Sequence, residues 1–176
     1  MRTIVVSEFV TLDGVVEAPD QWSMSYWNDN IAQFKTEEMQ EADALLLGRV
    51  TYDHFAAAWP AMIDETGGKE MNGIRKWVVT STLDTADWAN SAIVRSLDEV
   101  AELDGTLLVF GSPGLIQGLI ERDLVDAYRL LVYPVVLGRG KRLFGDAART
   151  NLDLIEARDV GSGVGALRYQ RKADAD

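Results

Sequence analysis

The stretch Leu107-Leu108-Val109-Phe110-Gly111-Ser112-Pro113-Gly114-Leu115-Ile116-Gln117-Gly118-Leu119-Ile120 decides the fold. Four large apolar residues predict a buried strand and Gly-Ser-Pro-Gly a tight turn. Leu115, Ile116, Leu119 and Ile120 then set the apolar stripe of a helix. Such a turn leaves the first helical N–H groups unpaired beside residues with little or no side chain, and an anion can rest on that backbone. Any strand-to-helix turn in an α/β sheet needs small residues, so this stretch alone reads equally as an anion site or as plain architecture.

Working outward, the pattern recurs. Leu45-Leu46-Leu47 predicts a short buried strand. Gly48-Arg49-Val50-Thr51-Tyr52 follows it as a second glycine junction, with Tyr52, Phe55 and Trp59 on one helical face. Arg49 and Thr51 stand at that helix start, where a cation, a hydroxyl and free N–H groups converge. His54, alone on this helix, reads as a packed or capping residue. Residues 76–82 read as a strand ending in Thr80-Ser81-Thr82, hydroxyls at the carboxyl edge where open sheets bind ligands.

The amino-terminal part supplies a first strand at residues 4–10, leaving through Thr11-Leu12-Asp13-Gly14. Residues 15–30 form a loop carrying Trp22, Tyr26 and Trp27 among Glu17, Asp20 and Asp29. It admits two readings, a substrate lid or a loop whose tryptophans plug the core. Residues 31–42 predict a surface helix, and short elements are expected at 70–74, 92–94 and 97–103. Residues 126–137 read as a long apolar strand interrupted at Pro134, which marks an edge or a bulge because proline cannot donate to a ladder. A basic glycine loop at 138–144 and a closing hairpin at 152–160 and 164–171 complete the chain. No linker, repeat or composition shift divides it, so residues 1–176 read as one domain.

Composition narrows the function classes. The chain has 47% hydrophobic and 26% charged residues, as one packed domain requires. Its 17 basic and 28 acidic residues give a net charge of −11, which disfavours nucleic acid and anionic membrane as partners. With no cysteine and one histidine, disulfides, thiolate catalysis and a Cys/His zinc site are excluded, and no metal is expected. The start runs straight into a strand without the features of a signal peptide, and no apolar run approaches the ~20 residues of a membrane span. A cytoplasmic protein is expected.

The junctions carry more information in order than singly. The series Thr-Leu-Asp-Gly, Leu-Gly-Arg-x-Thr-Tyr, Val-Val-Thr-Ser-Thr-Leu, Val-Phe-Gly-Ser-x-Gly and Tyr-Pro-Val-Val-Leu-Gly-x-Gly-Lys-Arg-Leu-Phe resembles the dihydrofolate reductase-like superfamily. Within it, the series is similar to the reductase (C-terminal) domain of the bifunctional riboflavin-biosynthesis deaminase/reductase. The resemblance spans residues 2–170. It implies an α/β three-layer sandwich whose central, mostly parallel sheet has about eight strands and an antiparallel C-terminal hairpin. It also implies NADPH across the carboxyl ends of the strands. Gly48, Arg49 and Thr51 match the family's first phosphate turn, Thr80 and Ser81 the hydroxyl pair near the 2′-phosphate, and Gly111, Ser112 and Gly114 the pyrophosphate turn.

Two departures stand out. Ser112 replaces a glycine, and either crowds the pyrophosphate or donates to it; Gly114 falls where dihydrofolate reductases proper often have arginine, which leaves Arg49 as the main cation. The resemblance places Trp27 where those enzymes carry a buried carboxylate, with Asp29 the nearest acid and Asp13 the second candidate catalytic group. Asp13 reads equally as a residue bonding its own turn. Lacking the cysteines of a zinc deaminase, the chain reads as a stand-alone NADPH-dependent reductase of a ribosyl-pyrimidine or pterin-like substrate. The alternatives are a non-catalytic nucleotide-binding protein of the same fold, or binding of a flavin. The resemblance further implies a homodimer, with the strand at 128–137 and the loop at 138–144 as a suitable interface.

Overall fold

A computed structural model describes residues 1–146 and 149–172. Its centre is the strand the sequence marks most strongly. This is β5 in chain order, Gly105–Phe110, with Leu107, Leu108 and Val109 wholly buried. The run is apolar without alternation because parallel neighbours flank it and helices cover both its faces. Those neighbours are β1 (Arg2–Thr11) and β2 (Ala44–Gly48). With β3 (Arg75–Val79), β4 (Ser91–Val94), β6 (Ala127–Tyr133), β7 (Leu152–Asp159) and β8 (Gly165–Arg171) the sheet has eight strands in the order β4-β3-β2-β5-β1-β6-β8-β7. Six are parallel, and the β7–β8 hairpin is antiparallel to its neighbour β6.

Helices lie on both faces. α1 (Asp29–Glu41), α2 (Arg49–Ala58) and α3 (Gly68–Gly73) cover one; α4 (Leu97–Ala101) and α5 (Pro113–Glu121) cover the other. α1 starts where Asn28 accepts from the N–H groups of Asn30 and Ile31, the side-chain cap expected of asparagine. α4 starts in a capping box, Ser96 taking the Glu99 N–H while Glu99 takes the N–H of Arg95. No helix among the described residues is long and apolar enough to cross a membrane.

Two expectations need correction. Pro134 does not mark an edge: β6 runs between β1 and β8 and ends at Tyr133, and past the proline the Val135 carbonyl still accepts the Leu12 N–H. Tyr128, Leu130, Leu131 and Tyr133 are therefore core residues, unable to form a contact surface. Of the large apolar residues expected there, Val136, Leu137 and Phe144 remain exposed, beside the exposed basic loop at 138–142. The helix at 31–42 also carries more than a surface face. Ile31, Phe34 and Glu38, at i, i+3 and i+7, all turn inward and are buried.

Candidate functional site

The two glycine junctions on β2 and β5 interlock. Gly111 and Ser112 are both left-handed, with φ of 57° and 63°, so the chain turns sharply before α5. That twist brings the Ser112 hydroxyl under the other junction. Its Oγ accepts the Gly48 N–H at 2.9 Å and donates to Thr51 Oγ1 at 2.7 Å. The fit leaves no slack: a Cβ on Gly48 would lie 3.0 Å from Ser112 Oγ, and one on Gly111 3.1 Å from Thr51 Oγ1. Ser112 thus clasps the two turns together. Gly48 N–H is occupied, while the first N–H groups of α2 and α5 have no side-chain cap, and a Cβ on Gly114 would enter open space.

The third junction adjoins these two. β3 stops at Val79, and Thr80 Oγ1 closes the next turn by accepting from the N–H groups of Thr82 and Leu83. Arg49 reaches across and donates to Thr82 Oγ1 at 2.6 Å. Arg95, leaving β4, donates to the carbonyls of Thr80 and Leu83 at 3.3 and 2.6 Å. Between them lies an open cavity of about 400 Å³ lined by Arg49, Arg95, the residues 79–82, Ser96 and Leu97. Two guanidinium groups and several hydroxyls therefore converge in a chain of net charge −11. Arg49, Thr80 and Ser81 are expected here from the sequence pattern; Arg95 is not. Its signal was present, since Arg95 directly precedes the Ser96–Glu99 capping box at a strand's carboxyl end.

The candidate acids lie elsewhere. Asp13 accepts from Thr11 Oγ1 at 2.6 Å, Gly138 N–H at 2.7 Å and Leu137 N–H at 3.2 Å, and Arg142 donates to its carbonyl. These bonds, that from Thr11 foremost, hold its carboxyl down at about 2, so it is ionised and ties the β1 exit to the 137–142 loop. Asp29 is exposed in the first turn of α1, a position suited to the helix dipole. Trp22 packs edge-on against Tyr133 at 5.4 Å while its Nε1 donates to the Glu17 carbonyl. Trp27 stays 46% exposed, 6.4 Å from Phe9. Trp22 thus packs against the core, as the plug reading expects of it, and Trp27 lies at the surface.

The carboxylate nearest the clasped turns is one the sequence reading passed over. Glu8 lies on β1 opposite the end of β5 and is 4% exposed, with Oε1 buried and without a partner. Burial pushes its carboxyl up to about 8, against the charge of Lys35 and the N–H of Gly111. A charged residue inside an otherwise buried strand was the available signal.

Comparison with known proteins agrees with this architecture. The family model described as the RibD C-terminal domain matches residues 2–166. The chain is 29% identical over 181 residues to the uncharacterized protein YyaP of Bacillus subtilis, covering 96% of this chain and 94% of that one. A putative riboflavin biosynthesis protein from Shewanella sp. PV-4 superposes with a TM-score of 0.77 at 22% identity, over 97% of this chain and 99% of that chain. A dihydrofolate reductase from Enterococcus faecalis, complexed with NADP(H) and RAB-propyl, gives 0.63 at 14% identity over 97% of each. The match along nearly the whole chain places it in the RibD C-terminal domain family, and the sheet has the dihydrofolate reductase-like fold.

Proposed function

We propose that this protein is an NADPH-dependent reductase that delivers hydride to a small heterocycle, a ribosyl-pyrimidine or a pterin-like ring. The observation that carries the reading is the cavity at the carboxyl ends of β3 and β4, where Arg49 and Arg95 meet the hydroxyls of residues 80–82. Two fixed cations in an acidic protein suit a phosphate. The uncapped starts of α2 and α5 beside Gly114 suit the linking pyrophosphate. The dinucleotide would supply the hydride. The chain's own task is to hold it along the sheet edge, with the Ser112 clasp keeping the two phosphate turns in register.

Arg49→Ala and Arg95→Ala each remove one charge-assisted contact to a 2′-phosphate, so each is expected to weaken NADPH by roughly 10–100-fold. NADH affinity should change little. Titration followed by tryptophan fluorescence reads both cofactors, and equal losses for NADPH and NADH would remove the 2′-phosphate from this cavity. Turnover of a pyrimidine and pterin panel separates a reductase from a binding protein without chemistry.

In this reading the protein is a homodimer. Besides Val136, Leu137 and Phe144, the edge strand β7 exposes Leu154 and Ile155 side by side, because a register shift between Leu154 and Glu156 breaks the alternation. Light scattering should return twice the 19.4 kDa chain mass, and Ile155→Lys should shift it toward the monomer. A monomer mass for the unmodified protein at all concentrations contradicts the dimer.

A further inference from the structure

On the α1 face of the sheet lies a charged cluster that the cofactor end leaves unused. The Glu38 carboxylate, fully buried, accepts from Ser7 Oγ at 3.0 and 2.8 Å and pairs with Lys35 Nζ at 2.6 Å. Lys35 Nζ also donates to Ser7 Oγ at 2.7 Å, so the three side chains fix one another. The ammonium sits 4.0 Å above the ring of Phe110 and 5.5 Å from that of Phe9. Phe110 is the last residue of β5, paired with Ser7 and followed directly by Gly111. The cluster therefore opens one residue short of the clasped phosphate turn.

A buried ion pair is a poor stabiliser, since desolvating both charges offsets most of their attraction. Lys35 is also only partly covered, with 20% of its side chain exposed. Of its three N–H groups two are directed at Ser7 and Glu38, and among the described residues the third has no oxygen acceptor. Its surroundings are flat and apolar: Phe9, Phe110 and, beyond Phe9, the exposed face of Trp27. A single oriented donor between aromatic faces suits a planar ring bearing one acceptor.

We infer that Lys35 is the group that meets the substrate, donating its third N–H to the oxygen or nitrogen of the C=O or C=N bond that is reduced. The inference rests on the reductase reading. As the substrate carbon gains hydride from the reduced dinucleotide, its π pair moves onto the heteroatom, which takes a proton from the Lys35 ammonium. The substrate is reduced by two electrons and the dinucleotide oxidised by two. Lys35 is left as a neutral amine beside Glu38 and regains its proton from water after product leaves. Glu38 and Ser7 are positioning residues that aim the ammonium. The other titratable group whose charge reaches it is Glu8, next to Ser7 on β1 and directed to the opposite face of the sheet.

The test uses as probes 7,8-dihydrofolate, a pterin whose reducible bond is a ring C=N, and 5-aminouracil, a pyrimidine that offers ring-carbonyl acceptors without such a bond. Binding is followed by tryptophan fluorescence in the presence of NADP⁺. Lys35→Met is expected to weaken at least one probe by roughly 10-fold or more, with NADPH affinity within about twofold of wild type, and Lys35→Arg to recover part of the loss. Because Lys35→Met strands a buried carboxylate, the double variant Lys35→Met/Glu38→Gln is measured alongside; it removes both charges and keeps a partner for Ser7. Wild-type affinity for both probes in a folded Lys35 variant overturns the inference, as does a wild-type protein that binds neither probe at millimolar concentration. Failure of NADPH to bind, with probe binding still dependent on Lys35, overturns the reductase reading and leaves the Lys35 contact standing.

Discussion

Lys76→Met lowers the unfolding free energy by about 3 kcal/mol, a fall in Tm of roughly 6–12 °C for a chain of this size. The Lys76 side chain is wholly buried at the start of β3, yet among the described residues it faces no carboxylate. Its ammonium donates to three backbone carbonyls, those of Asn72, Ile74 and Ala89, at 3.0, 2.9 and 3.0 Å, and lies 4.1 Å over the ring of Trp88. Trp88 in turn bonds Asn72 through its indole, and its N–H donates to the Tyr52 hydroxyl. One charge thus joins α2, α3 and the loop before β4 at the amino ends of β3 and β4, the end opposite the proposed 2′-phosphate cavity. Methionine preserves length and apolar packing, so the effect isolates the lost hydrogen bonds. Asn90 also donates to the Asn72 carbonyl, which leaves those of Ile74 and Ala89 to bear most of the change. Thermal unfolding by circular dichroism measures it, and a loss below about 1 kcal/mol would show that water replaces the ammonium.

What the sequence makes legible follows from which forces are local. β5, its turn and α5 are written in consecutive residues, because burial on both faces and a left-handed turn each restrict residue type at once. The grouping of Gly48, Arg49 and Thr51 with Gly111 and Ser112 was legible through their order along the chain. The clasp itself was not, since it depends on which way one hydroxyl points across 64 residues. Pro134 misled because a missing N–H says that a ladder stops, not whether the strand lies at an edge. Lys35, Glu38 and Glu8 were hidden by the assumption that charge means surface. In α1 the helical period itself carries Glu38 inward with Ile31 and Phe34. Glu8 interrupts a strand in which residues 4–7 and 10–11 are all buried. Polar residues at core-facing positions were the readable sign of a site on β1 and α1, and Asp13 and Asp29, the acids on loops and helix starts, drew attention away from it.

Glu8→Gln is expected to stabilise the protein at pH 8 by about 3 kcal/mol and to leave it nearly unchanged below pH 4.5. The carboxyl of Glu8 titrates near 8 in the folded chain against 4.5 for an ordinary glutamate, chiefly because burial disfavours the anion. Below pH 4.5 both states hold the proton and the site carries no penalty. Between 4.5 and 8 the unfolded chain releases it while the folded chain keeps it, so stability falls as pH rises, and above 8 the loss levels off. The full shift corresponds to about 5 kcal/mol, which relaxation around the buried anion reduces. Glutamine cannot ionise and keeps the size of the side chain. Carboxyls held low, such as those of Asp13 and Glu37, act oppositely at acid pH, but they are common to both proteins and cancel in the difference. Urea unfolding at pH 4.5, 6.5 and 8 gives the two profiles, and parallel curves would show that Glu8 ionises freely. The same proton matters to the proposed site. A neutral carboxyl beside Gly111 tolerates a pyrophosphate on the next residues, whereas its anion repels one. NADPH affinity of the wild type should therefore weaken as pH rises through 8, with Lys35 and Glu38 the other charges facing that strand, and Glu8→Gln should abolish the decline.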